Sequence, residues 1–315
     1  FAFVIQDTRG RGDSEGKDSF EPDSFAAHIP DTADALAWIA AQPWCNGRIG
    51  IRGGSGNGIA AYTGFLSGSP HLAAASAGNS SGHGHYWMAD NRVRRGLYDW
   101  MKHNNLATPD WPKPTLIKQS RSDALKELSR HTPHPETVMT VSAAWYDIVS
   151  ESALDLFALY ADKARIYVTV SPGWHGGATE INGAKWPKFW SRGGAAPGFT
   201  ETLLGQDSDE PSFIRYYLMG DPSNPDSAGN EWRTTHEWPV PHTPLTLHLT
   251  ADGGLQSRAP AAAGTRGYVY DPTDPAPAIG GNGSFSILVG PMDQRPLRKR
   301  DDVLHFVSPP LETPL

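Results

Sequence analysis

"RIGIRGGSGNGIAAYTGFL", residues 48–66, sets a short apolar run, a glycine-rich turn and a second apolar run in immediate succession. Ile49-Gly50-Ile51-Arg52 has the length and β-branched content of a buried strand. Ile59 to Leu66 carries the small and apolar residues of a packed helix. Between them Ser55 stands among Gly53, Gly54, Gly56 and Gly58, so the chain must reverse sharply where glycine freedom in φ and ψ is available. A serine on such a turn is lifted out of the sheet, with the N–H groups of the following helix aimed at the same point. The stretch reads as a nucleophile elbow. The same pattern also suits a phosphate cradle, but no Lys-Ser/Thr pair follows the glycines.

Working outward, "DTADALAWIAAQPW" spaces Ala35, Leu36, Ile39 and Ala40 helically, with Asp31 placed as an N-cap. Phe1-Ala2-Phe3-Val4-Ile5 reads as a strand before the polar loop "QDTRGRGDSEG", and "HLAAASAGNSS" as a strand running into a loop. Strand–loop–helix signals recur in "TVMTVSAAWYDIVSESALDLFALY" and "ARIYVTVSPGWHGG". This alternation predicts parallel strands with crossover helices. The rhythm breaks between residues 82 and 135, where "YWMADNRVRRGLYDWMKHNN" and "SDALKELSRHT" read as helices of a cap insertion. After residue 204, short runs such as "FIRYYLM", "LTLHL", "RGYVYD" and "DVLHFVS" alternate with Pro, Gly, Asp and Asn, the spacing of an antiparallel sandwich. The expected organisation is an α/β core in two parts, 1–81 and 136–204, a helical cap at 82–135, and a β-sandwich at 205–315.

The bulk properties narrow the function. A chain of 315 residues with 38% hydrophobic content can bury a sizeable core. The net charge of −7 gives no general attraction to nucleic acid or anionic membrane. No apolar run approaches the ~20 residues of a membrane-spanning helix. Cys45 is the single cysteine, which excludes an internal disulfide and a cysteine-based zinc site and requires no oxidising compartment. A cytoplasmic location is favoured on that ground, a homo-oligomer is left open, and no cofactor is expected. The chain starts in mid-strand and stops at "SPPLETPL", so both ends are expected to belong to a longer chain.

A serine hydroxyl becomes a nucleophile only when a base takes its proton and a third group orients that base. Asp147 follows one predicted strand and His175 the next, in the order Ser, acid, His. Each falls where the carboxyl edge of a parallel sheet would bring it beside Ser55. Taken singly, a loop Asp is usually a turn former and a loop His a solvated side chain. Their order and their positions after successive strands carry the reading.

"DTRGRGDSEG", "AWIAAQPWCNGRIGIRGGSGNG", "AAWYDIVSES", "SPGWHGG" and "GPMDQRPLRKRDDVLHFVSPPLE" together resemble the cocaine esterase / X-prolyl dipeptidyl peptidase family. That resemblance implies an α/β-hydrolase domain, a helical cap inserted after the nucleophile strand, and a C-terminal jelly roll. It implies Ser55 as nucleophile, Asp147 as acid in a Trp-Tyr-Asp motif and His175 as base in a Pro-x-x-His motif. The substrate is then a small ester or amide, with no nucleic acid and no membrane as partner. X-prolyl dipeptidyl aminopeptidase and cephalosporin-type acylase activities are the alternatives within the family. Two departures stand out. Gly56 occupies the place of the family's Tyr after the nucleophile, although its backbone N–H still supplies an oxyanion donor. The family's second donor, a Tyr hydroxyl, comes from a segment upstream of "DTRG", and losing one such donor costs ~3 kcal/mol of the barrier.

Tyr86, Trp87, Trp145 and Trp174 are candidates to line the acyl pocket, against the plainer reading of aromatic core. His83 and His85 lack an evident third metal ligand and read as part of a loop lining the cleft. Arg92, Arg94 and Arg95 read as a solvated face, with substrate-carboxylate binding as the alternative. The stretch from Ala77 to Trp87 contains no Asp or Glu to bind a substrate ammonium, which disfavours aminoacyl specificity. Asp7 and Arg9 read as loop braces and Arg295 as an interdomain ion pair. A reading of another class is a degenerate hydrolase whose sandwich binds a glycan or a protein.

Overall fold

The computed structural model describes residues 1–16, 28–82, 121–175, 180–181, 184–187, 198–206, 208–282 and 289–312. Helix α1 (His28–Ala40) is followed by strand β1 (Ile49–Gly54), helix α2 (Gly58–Leu66) and strand β2 (Leu72–Gly78). Helix α3 (Arg121–Leu128) leads to β3 (Val138–Ala144), α4 (Ser150–Tyr160) and β4 (Arg165–Ser171). Two short pieces, β5 (Glu180–Ile181) and β6 (Ala184–Lys185), pair with each other, and α5 (Phe199–Leu203) precedes β7 (Phe213–Leu218) and β8 (Glu231–Thr235).

These strands form one sheet in the order β1-β2-β3-β4-β7-β8. All neighbours are parallel except β8, which runs antiparallel to β7 at the edge. Alternation along each strand sends side chains to the two faces in turn. Met139, Val141, Ile166, Val168 and Ile214 join Tyr62 and Phe65 of α2 and Phe157 and Tyr160 of α4 in the main core. Val138, Tyr167 and Phe213 form a second cluster from the alternate positions, with the Tyr167 and Phe213 rings 5.0 Å apart. Both faces are therefore apolar, as a parallel sheet between helices requires. Gly50 and Ile51 show the same division on β1. A Cβ on Gly50 would lie 2.5 Å from the Phe199 ring of α5, whereas Ile51 packs toward Gly64 of α2.

The α/β architecture expected from the sequence is present, with three differences in detail. Phe1 to Ile5 pairs with no strand among the described residues and exposes Phe3 and Ile5 almost fully. An apolar alternation makes a strand only where a neighbour accepts its hydrogen bonds. Asp31 is no N-cap: it lies in the first turn of α1 and forms an ion pair with Arg9, which ties the "DTRGRG" loop to the helix. The core does not end at residue 204. "FIRYYL" is β7, parallel to β4, and "EWRTT" is β8. Phe213, Ile214 and Tyr217 are all buried, the signature of a strand covered on both sides rather than of a one-faced sandwich strand.

Beyond Thr235 the described residues form a two-residue pair, β9 (His248–Leu249) with β10 (Leu255–Gln256), and two isolated bridges, Gly254 with Val307 and Gly281 with Gly290. They do not assemble the two-sheet sandwich expected there. "RGYVYD" is irregular, with Val269 86% exposed. Arg295, which opens a short 3₁₀ helix (Arg295–Lys299), pairs with Asp293 two residues before it, not across domains.

The part of the cap region that is described, α3, is fastened to the core twice. Arg121 binds the buried carboxylate of Asp155 on α4 through Nη2 at 2.6 Å and Nε at 3.2 Å. The Tyr160 hydroxyl donates to the Leu128 carbonyl at the end of α3, and burial pushes that phenol up to about 12. A tyrosine in the unfolded chain ionises near 10, so the folded form keeps its proton longer. The resulting stability is complete below about pH 10 and is lost as pH rises through about 12. The urea midpoint is expected to fall between pH 10 and 12, and Tyr160→Phe is expected to make that fall shallower, as read by chemical denaturation of both proteins at each pH.

Candidate active site

Parallel pairing brings the carboxyl ends of the strands to one edge. Gly54 of β1 lies beside Gly78 of β2, and Ala144 of β3 beside Ser171 of β4. The loops that follow begin from the same rim, the usual ligand-binding side of an open α/β sheet.

The first loop is the elbow. Ser55 has φ +51°, in the left-handed region, and a single 3₁₀ turn, Ser55–Asn57, links it to α2. Such a conformation costs a non-glycine residue about 1–3 kcal/mol and persists only when its surroundings hold it. Here they do. The Ser80 hydroxyl donates to the Ser55 carbonyl at 2.7 Å. A Cβ on Gly53 would lie 2.3 Å from the Asn57 carbonyl oxygen, and one on Gly58 would lie 2.6 Å from Ser80 Cβ. The turn therefore closes only with glycine at those two positions. Gly56 differs: a Cβ there would meet nothing within 4 Å.

The second loop carries Asp147, which is fully buried. Its backbone is held by an N–H bond to the Ala144 carbonyl and by Ser150, which donates to the Asp147 carbonyl. Its carboxylate accepts the Val149 N–H at 3.2 Å and the Asn79 side-chain amide. The third loop carries His175, whose side chain is 18% exposed. His175 Nδ1 lies 3.0 and 3.1 Å from the two Asp147 oxygens, and Nε2 lies 2.9 Å from Ser55 Oγ. Both separations are hydrogen-bonding distances. The imidazole with Nδ1–H donated to the carboxylate presents its Nε2 lone pair to the serine hydroxyl, so Ser55, His175 and Asp147 form one continuous chain.

Tyr62 of α2 is fully buried and feels the charge of Asp147. Burial pushes its phenol well above the usual tyrosine value; the Ser152 hydroxyl opposes that shift, and the charge of Asp147 adds to it. The remaining sequence candidates divide. Trp145 donates Nε1–H to the Tyr217 carbonyl at 2.8 Å, and its ring packs against Tyr216 and Trp238. It joins β3 to the β7 side of the sheet. Trp174 is half-buried beside His175, and its carbonyl is 3.5 Å from the Asn79 amide. Tyr86, Trp87, His83, His85, Arg92, Arg94 and Arg95 lie outside the described residues. Asn79 and Ser80 were not singled out in the sequence. The signal was available: "AGNSS" ends β2, the strand between β1 and β3, and Asn tolerates the left-handed φ of +47° found there.

The family model described as X-Pro dipeptidyl-peptidase (S15 family) matches residues 1–176, a span that contains Ser55, Asp147 and His175. The chain belongs to that family. A cocaine esterase from Rhodococcus sp. (strain MB1 Bresler) is 27% identical over an alignment 398 residues long, covering 100% of this chain and 65% of that protein. The crystal structure of an aminopeptidase from the marine sediment archaeon Thaumarchaeota archaeon superposes with a TM-score of 0.63 at 21% identity, over 94% of this chain and 59% of that one. A CocE/NonD family hydrolase from Staphylococcus aureus aligns with a TM-score of 0.48 at 17% identity, over 79% of this chain and 45% of the other. This chain thus spans less than two-thirds of the length of that esterase and of both solved structures. The fold of the family is the α/β-hydrolase sheet described above.

The close approach at Gly53 makes a direct test of the elbow. Gly53→Ala is expected to cost about 1–3 kcal/mol by overpacking against backbone, lowering Tm by several degrees. Gly56→Ala, facing open space, is expected to leave Tm within about 1 °C of the parent. Thermal unfolding followed by circular dichroism separates the two.

Proposed function

We propose that this chain is a serine hydrolase that cleaves carboxylic esters through an acyl-enzyme, with Ser55 as nucleophile, His175 as base and Asp147 as orienting acid. The observation that carries the reading is the 2.9 Å separation of His175 Nε2 from Ser55 Oγ, with Nδ1 held 3.0 Å from a buried carboxylate. The order of these groups along the chain and the family membership support it, as does the left-handed φ of Ser55 at the tip of a strand–helix turn.

In the reaction His175 Nε2 takes the proton of Ser55 as Oγ bonds to the carbonyl carbon. The negative charge that collects on the carbonyl oxygen meets the backbone N–H of Gly56, at the helix-side face of the turn. Asp147 stabilises the imidazolium without taking its proton. His175 then returns the proton to the leaving alcohol as the C–O bond breaks. Water repeats the sequence on the acyl-enzyme, with His175 again accepting and returning one proton. Acyl groups without an α-ammonium are favoured over aminoacyl ones, because the stretch from Ala77 to Trp87 contains no Asp or Glu to bind an ammonium.

A fluorophosphonate is expected to form a covalent adduct on Ser55 of the folded protein, located by peptide mass spectrometry. Ser55→Ala is expected to lower kcat on short p-nitrophenyl esters by on the order of 10⁴-fold or more. Absence of the adduct, or hydrolysis that survives Ser55→Ala, would reject the proposal.

A further inference from the structure

We infer that Asn79 is a positioning residue for the acid–base pair, holding Asp147 and the His175 loop in register from the neighbouring strand end. The inference rests on the hydrolase reading above and adds to it a residue that neither the triad pattern nor the Gly-rich turn points to.

Four observations support it. Asp147 is fully buried, so each lone-pair direction of its carboxylate needs a donor or the ion bears a desolvation cost of several kcal/mol. Val149 N–H serves Oδ1 and Asn79 Nδ2–H serves Oδ2, which leaves the carboxylate edge turned to His175 Nδ1. Asn79 Nδ2 also lies 3.5 Å from the carbonyl of Trp174, the residue just before His175, so one amide group faces both the acid and the loop that carries the base. The Asn79 backbone is itself fixed. Its φ is +47° and its N–H donates to the Ser142 carbonyl of β3 at 2.7 Å. The next residue, Ser80, binds the Ser55 carbonyl, so two consecutive side chains at the end of β2 brace the acid and the nucleophile turn separately.

The chemistry of an amide suits this place. Asn donates to a carboxylate without carrying charge, so it orients Asp147 and leaves its negative charge to act on the imidazole. Among the described residues, the titratable groups that interact with that carboxylate are His175 from the loop after β4 and Tyr62 from α2, whose phenol burial keeps neutral. Asn79 adds none, and its donor is the group that fixes which carboxylate edge His175 meets.

Glycine adopts a φ near +47° without strain, so Asn79→Gly removes the amide and spares the backbone. Asn79→Gly is expected to lower kcat on a p-nitrophenyl ester by about ten- to a hundredfold, the range for a lost hydrogen bond to a charged group, with KM within about twofold of the parent. Because Asn79 acts through Asp147, the same substitution in an Asp147→Ala background is expected to change kcat by less than about twofold to threefold. A purely structural role would produce the same loss in both backgrounds, and that result, or an unchanged kcat in Asn79→Gly, would overturn the inference. The proton NMR resonance of His175 Nδ1–H supplies a readout that does not depend on turnover. It is expected in the parent and lost to solvent exchange in Asn79→Gly. If the parent neither hydrolyses esters nor labels with a fluorophosphonate, the hydrolase reading fails, while the resonance still decides for or against Asn79.

Discussion

The site depends on one buried charge. Asp147 is fully buried, so the polar atoms of its carboxylate must find their donors within the protein. It stays useful to His175 because the chain delivers donors to it from three directions: the turn it begins, the end of β2, and the imidazole. The donors from Asn79 and His175 reach it through parallel pairing, while the Val149 N–H is local to the turn. β2, β3 and β4 lie side by side, so the loops after their carboxyl ends start within reach of each other and of the elbow after β1. The register of the sheet thus fixes the spacing of the site, and the site's polar bonds in turn anchor loops that would otherwise be irregular.

Much of this was legible in the sequence, for a physical reason. Ser55, Asp147 and His175 each follow a run of apolar residues long enough to be a strand, and a parallel sheet leaves little choice about where its carboxyl ends go. The glycines around Ser55 could be read as a sharp turn because only glycine fits where Gly53 approaches Asn57 and Gly58 approaches Ser80. Asn79 was harder to see. Its role comes from a contact between residues 68 positions apart, and a polar cluster after a strand looks the same whether it braces a carboxylate or merely meets solvent. Trp145 shows the converse limit. Its place in the Trp-Tyr-Asp motif puts it next to the acid, yet the side chain turns to the β7 carbonyls and a Tyr216–Trp238 cluster.

The least legible part was the second half of the chain. "FIRYYL" looks like the later short runs in sequence because Pro and Gly punctuate both, but its consecutive buried residues mark it as a sheet strand covered on two faces. Among the described residues, the runs after Thr235 have β-propensity but pair only in the short β9–β10 ladder and two isolated bridges. Propensity describes how well a side chain fits a pleated, half-buried surface, and Tyr268, Val269 and Tyr270 have no such surface beside them among the described residues. The same argument explains Phe1 to Ile5. In both places the local pattern is sound, and no strand lies beside it among the described residues.

The most direct measurement of whether the three loops act as one device is a cycle of Ser55→Ala, His175→Ala and the double variant, compared by kcat for a p-nitrophenyl ester. A proton passed between two groups 2.9 Å apart is lost entirely when either is removed. The double variant is therefore predicted to be no slower than the worse single one. Losses that multiply, so that the double variant falls by the product of the two factors, would show the serine and the imidazole working independently and would contradict the account.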